Sequence, residues 1–117
     1  NNIAAPGEMG ALLGRLCRGE IFNAEISAQM IDMLRLCVDR RMIPHYLKAG
    51  VETAHKIGSS GRIKADVGIV FLPDGPLVVA AFALAGRDGV DGAEAIARLT
   101  RLAVEALSPQ SLKEVQA

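Results

Sequence analysis

The chain is poor in aromatic residues, with three Phe, one Tyr and no Trp among its 117. Its core must therefore be aliphatic, drawn from Leu, Ile, Val, Ala and Met. Half of the residues are hydrophobic, which supplies ample material and argues against disorder. An excess of charge of either sign is also missing. Lys plus Arg number 13 and Asp plus Glu number 13, so nothing electrostatic favours nucleic acid or an anionic membrane. No apolar run approaches the roughly 18 residues that span a bilayer. The longest, VVAAFALAG, fits a buried strand. Cysteine is limited to Cys17 and Cys37, without Cys-x-x-Cys spacing, and each is expected on the apolar side of a helix as a small hydrophobe. No signal peptide opens the sequence, and the start, NNIAAPGEMG, reads like the middle of a protein.

The length suits a single domain over 1–117. Pro6 is placed for the first turn of a helix. Met9, Leu12, Leu13, Leu16 and Cys17 then follow at helical spacing, and Gly19 ends the element. Asn23 is expected to cap a second helix, with Glu25 in its first turn. Ile26, Met30, Met33, Leu34 and Cys37 form its inner face. That helix is expected to close at the basic Asp39-Arg40-Arg41, with Arg40 and Arg41 complementing its dipole, before Pro44 forbids continuation.

From Val51 the period changes. VETAHKIGS is strand-like and is followed by a Gly/Ser break over Gly58–Gly61. ADVGIVFL and LVVAAFALA flank PDGP, a turn signal, so these two runs predict an antiparallel hairpin. GRDGVDG reads as a loop, with Arg87 a solvated charge, and AEAIARLTRLAVEAL as a helix with Ile96, Leu99, Ala103 and Ala106 inward. Ser108 and Pro109 stop it, and 109–117 is expected to fray. The order is helix, helix, strand, strand, strand, helix. The simplest packing is an α+β domain, a three-stranded antiparallel sheet between helices.

Polar groups placed among apolar ones are the first candidates for chemistry. Lys56 sits inside the first predicted strand, and His55 points to the opposite face. The ordinary reading of the lysine is a snorkelling side chain at a sheet edge, and of the histidine a core or surface residue. No His, Cys or carboxylate cluster stands at metal-ligand spacing, and His45 offers no motif. Asp66 is expected to cap or pair locally. None of Ser27, Ser59, Ser60, Ser108 and Ser111 has a lysine three residues on or lies in a Gly-x-Ser-x-Gly elbow. GSSGRIK lacks the Gly-Lys-Ser/Thr ending of a phosphate loop.

The run AHKIGSSGRIKADVGIVFLPDGPLVVAAFALAG nonetheless resembles the C-terminal part of class A β-lactamases and related serine penicillin-recognising enzymes. PGEMGALLGRLCRGEIFNAEISAQMIDMLRL is similar to the two helices that precede this part in the family, and GAEAIARLTRLAVEAL to its terminal helix. The likeness implies a β-lactamase/transpeptidase-like fold and an acyl-enzyme mechanism without metal or cofactor.

By the same likeness, Lys56 corresponds to the lysine of a Lys-Thr-Gly motif and would meet the substrate carboxylate. Gly58 would let the acyl group lie close to the strand. The backbone N–H of Ser59 would supply half of an oxyanion hole, where one donor is worth about 2.7–4 kcal/mol of barrier. Ile57 and Ser60 complete the stretch implied in substrate binding. Ile57 replaces a Thr or Ser of the family, which removes a hydroxyl worth about 0.5–1.5 kcal/mol to a bound carboxylate.

The Ser-x-x-Lys nucleophile, the Ser-Asp-Asn loop and the deacylating Glu are absent from the sequence. The resemblance therefore implies a fragment that hydrolyses β-lactams only with a missing N-terminal segment or second chain, and that is inactive alone. A same-fold esterase or peptidase, or an inactive binding module, is the alternative. An exposed apolar hairpin edge implies a homo-oligomer for the isolated chain, and the family implies a periplasmic or secreted location.

Overall fold

The computed structural model describes residues 3–85 and 91–114. Helix α1 spans Pro6–Cys17 and α2 Ala24–Leu34, strands β1 Thr53–Ser60, β2 Ile63–Leu72 and β3 Gly75–Leu84 follow, then α3 Gly92–Leu107 and a 3₁₀ turn at Pro109–Ser111. This is the expected α+β order.

Local chemistry sets most of the boundaries. Pro6 opens α1, and the Glu8 side chain accepts from the Ala5 N–H at 2.9 Å. Gly19, at φ +72°, ends it: its N–H donates to the Leu16 carbonyl while Glu20 N–H reaches the Arg15 carbonyl, a Schellman closure. Asn23 caps α2, its side chain accepting from Ile26 N–H at 2.7 Å.

The second helix is shorter than the sequence predicts. It stops at Leu34, where the Leu36 N–H turns to the Met33 carbonyl and the Cys37 N–H to the Leu34 carbonyl; further on, the Asp39 side chain takes the Arg41 N–H at 2.9 Å and pairs with its guanidinium. Arg40 donates instead to the Pro44 carbonyl at 3.3 Å, so neither arginine sits on the helix dipole. Cys37, expected on the helix, lies beyond it and is half-buried, as is Cys17. Met33 is exposed rather than inward.

The sheet order is β1-β2-β3, antiparallel throughout. β2 and β3 run longer than predicted and the turns are tighter, whereas β1, expected from Val51, starts two residues later. β1 begins at Thr53 and continues through Gly58 to Ser60, leaving a two-residue turn at Gly61–Arg62 with Gly61 at φ +56°. β3 takes up Gly75 and Pro76, so only Pro73 and Asp74 form the second turn.

Helices cover both faces. On one, Leu13 and Leu16 of α1 pack with Ala54 and Ile69, joined by α2. On the other, Ile96 and Val104 of α3 meet Val70, Leu72, Val79 and Ala81, with Met42, Ile43 and Leu47 from the connector between α2 and β1. α3 is rotated from its expected setting. Ile96, Ala97, Thr100 and Val104 are buried, whereas Leu99 is 53% exposed, Ala103 half-buried and Ala106 exposed. Ile96 was read correctly, and the stripe continues through 97, 100 and 104 because Leu99 and Leu102 lie on a second apolar stripe facing outward. The segment after Pro109, expected to fray, is tied back as far as Lys113. Leu112 bridges Leu47, Lys48 N–H donates to the Ser111 carbonyl, and Lys113 N–H to the Tyr46 carbonyl.

Candidate active site

Strand alternation separates the candidate residues into two sets. Lys56 lies on the α1/α2 side of β1, in step with buried Ala54, and Gly58 and Ser60 follow on that side. His55, Ile57 and Ser59 lie on the other. Lys56 is exposed, and its Nζ donates to the Ile57 carbonyl at 2.6 Å. It lines a trough of 410 Å³ whose other walls are apolar, among them Met9, Leu12 and Leu16 of α1, Met30 of α2 and Val67 of β2. A solitary ammonium at the margin of an apolar trough can hold an anion there without a competing carboxylate in the lining.

Gly58 leaves room above the strand; a Cβ there would stand 3.8 Å from that of Ala65. Ile57 is half-buried and packs toward the α3-side core. Ser59 is exposed, and its Oγ accepts from Lys64 Nζ at 2.6 Å. Ser60 ends the strand opposite Ile63, exposed. Arg87 lies outside the described residues. Among the described residues no group of three or more His, Cys, Asp or Glu side chains could hold a metal, and no helix is long and apolar enough to cross a membrane.

A relationship that sequence reasoning missed lies directly behind Lys56. His55 is 1% exposed and Asp66 0%. His55 Nδ1 stands 2.8 Å from Asp66 Oδ1 and 3.0 Å from Oδ2, and Oδ2 also accepts the Ile43 N–H at 3.0 Å. Asp66 therefore does not cap locally; it joins β1, β2 and the connector. The signal was present in the pattern: an aspartate opening an apolar strand, one diagonal step from the histidine once the turn fixes the register His55↔Gly68.

The fold is shared with β-lactamases and penicillin-binding relatives. The β-lactamase from Sphaerobacter thermophilus DSM 20745 superposes with TM-score 0.80 at 31% identity, over 88% of this chain and 40% of that one. PBP-A, solved also as an acyl-enzyme complex with penicillin G, superposes with TM-score 0.79 at 27% identity, over 91% of this chain and 40% of its own. A class A β-lactamase from Mycobacterium abscessus, 23% identical, has the same fold with TM-score 0.75. The chain thus spans about 40% of the length of these relatives. None of the curated proteins matches it. The family model for the beta-lactamase enzyme family matches residues 1–107, and the chain belongs to that family.

Proposed function

We propose that this chain contributes the lysine-bearing strand of an acyl-transfer site that hydrolyses β-lactams, with the nucleophilic serine supplied by a segment outside these 117 residues. The observation that carries the reading is Lys56 itself, the one charged residue among the described residues that line an apolar trough in a β-lactamase-family fold. Its ammonium holds the substrate carboxylate electrostatically. Gly58 admits the acyl group beside the strand, and the Ser59 N–H donates to the developing oxyanion. Ser60 borders the ligand. Ile57, half-buried, offers no hydroxyl, so the carboxylate is held by charge and not by a neutral donor as well. The missing segment lies over the trough, which otherwise leaves apolar α1 and α2 side chains open to water. A carboxylate-free ester or peptide substrate is the alternative that Ile57 favours.

The test is a chimera in which this chain replaces the matching 40% of the Sphaerobacter thermophilus enzyme. Acylation by a fluorescent penicillin and turnover of a chromogenic cephalosporin, both reduced but still measurable in Lys56→Ala, are the expected results. A folded chimera that acylates equally well without Lys56 overturns the reading.

A second reading, association of the isolated chain with itself, is favoured by the uncovered apolar surface. Ile63, Phe82 and Leu84 at one end of the sheet and Leu99 and Leu102 on α3 are exposed, Leu84 by 69%. Neither β1 nor β3 has an outer neighbour among the described residues.

A further inference from the structure

We infer that the buried His55–Asp66 pair is a positioning device for Lys56, an inference that rests on the role proposed for that lysine. Among the described residues β1 is an edge strand with a single neighbour, and its side chains beyond Ile57 are glycine or exposed serine. On the Lys56 side Ala54 is packed before the lysine, and only glycine and exposed serine follow it. What fixes the peptide from which Lys56 projects is the residue before it, gripped from behind.

The grip has three parts. Asp66, wholly buried, faces His55 Nδ1 with both oxygens and takes the Ile43 N–H on Oδ2. A buried carboxylate is tolerated only when its oxygens are satisfied by donors of this kind. Gly68, paired with His55 across the ladder, makes the approach possible: a Cβ there would stand 2.5 Å from the Ala54 carbonyl oxygen and 2.7 Å from His55 Cα. Because an ionised carboxylate only accepts, Nδ1 carries a proton in this contact. Nε2 is buried and has no hydrogen-bond partner among the described residues.

A nucleophilic role for the cluster fails on geometry. Cys37 Sγ lies 3.9 Å from Nδ1, the same nitrogen that faces Asp66. A thiol–imidazole–carboxylate relay needs the thiol and the carboxylate on different nitrogens. The pair has no reacting partner, and its effect on chemistry runs through the backbone it shares with Lys56.

The test has two arms. In the 117-residue chain, ¹⁵N spectra of His55 should give a protonated Nδ1; an unprotonated Nδ1 overturns the inference. In the chimera, His55→Leu should lower kcat/KM for acylation about 100-fold, the scale of an ångström-sized misplacement. His55→Asn, which keeps a donor where Nδ1 stood, should recover most of the loss.

The decisive readout is the double substitution. If His55 acts through Lys56, His55→Leu costs little further in a Lys56→Ala background, whereas two losses that add in full leave the pair merely structural and overturn the inference. Should Lys56→Ala leave acylation unchanged, the proposed function fails on its own account. The Lys56 side-chain resonances of the isolated chain then decide the pair. Resonances moved by His55→Leu and restored by His55→Asn support it, and resonances that stay put overturn it.

Discussion

Gly68 lies directly opposite His55 in the β1–β2 ladder, and the imidazole side of the strand closes over it. The neighbours that a methyl group would meet are His55 Cβ, His55 Cα and the Ala54 carbonyl oxygen, none of which a side-chain rotation can move away. Gly68→Ala should therefore destabilise the chain by about 1–3 kcal/mol, the usual penalty for overpacking. Urea denaturation measures it. A variant as stable as the parent would mean that the two strands can separate at no cost.

Among the described residues Lys56 makes no ion pair, and its single hydrogen bond is to the neighbouring carbonyl. Lys56→Met should leave thermal stability within about 0.5 kcal/mol, as for other surface changes. In the chimera the same change should reduce kcat/KM for a penicillin by roughly 10- to 150-fold, corresponding to a charge-assisted contact of about 1.5–3 kcal/mol. An equal loss for an uncharged ester would assign the lysine to something other than the carboxylate.

Ser27 is buried, and its Oγ donates to the Ile21 carbonyl at 2.8 Å while accepting the Ile21 N–H at 3.0 Å. One hydroxyl thus satisfies both polar groups of a residue in the α1–α2 turn. Ser27→Ala strands the Ile21 N–H and leaves the Ile21 carbonyl the Asn23 N–H alone, at a cost of about 1–3 kcal/mol. Ser27→Thr, if its methyl fits, should retain most of the stability. Calorimetric melting of the two variants separates the hydrogen bonds from the packing.

Glu94 joins α3 to the connector, accepting from the Tyr46 hydroxyl and from Arg98 Nε at 2.9 Å. The Tyr46 hydroxyl first, and then Arg98, hold its carboxyl below the usual carboxylate range. A carboxyl lowered on folding stabilises the native state above its unfolded pKa, and the contribution disappears as pH falls through the folded value. Glu94→Gln should accordingly be less stable than the parent at neutral pH, and the gap should narrow in acid. Denaturation midpoints across pH 2–7 provide the comparison, and a gap independent of pH would contradict the assignment.

Self-association is expected to be concentration-dependent and driven by apolar contact. Sedimentation of the isolated chain should reveal dimers or larger species, which Leu84→Lys together with Phe82→Glu should dissolve. A well-folded parent that sediments as a monomer at all concentrations rules the association out.

Much of this architecture is legible without coordinates, because short-range chemistry decides it. Pro6, Gly19 and Asn23 act within a turn of where they stand, and each lies where the pattern puts it. What escapes is decided at a distance. α2 ends in tight turns at Leu36 and Cys37 that no breaking residue announces. The setting of α3 depends on a choice between two apolar stripes, one through Val104 and one through Leu99 and Leu102, which sequence leaves nearly balanced. Lys56 stands out as a charge in a strand, yet the residues that hold it in place are read as a lone histidine and a local cap until register brings them together.

The two-residue turn at Gly61–Arg62 has a further consequence. Shifting β1 by one position would send an ammonium into the aliphatic interior and turn an imidazole out to water, two errors from one slip. The hairpin is thereby intolerant of single insertions or deletions at its tip, and length variation among homologous turns should come in steps that preserve the parity of the strand.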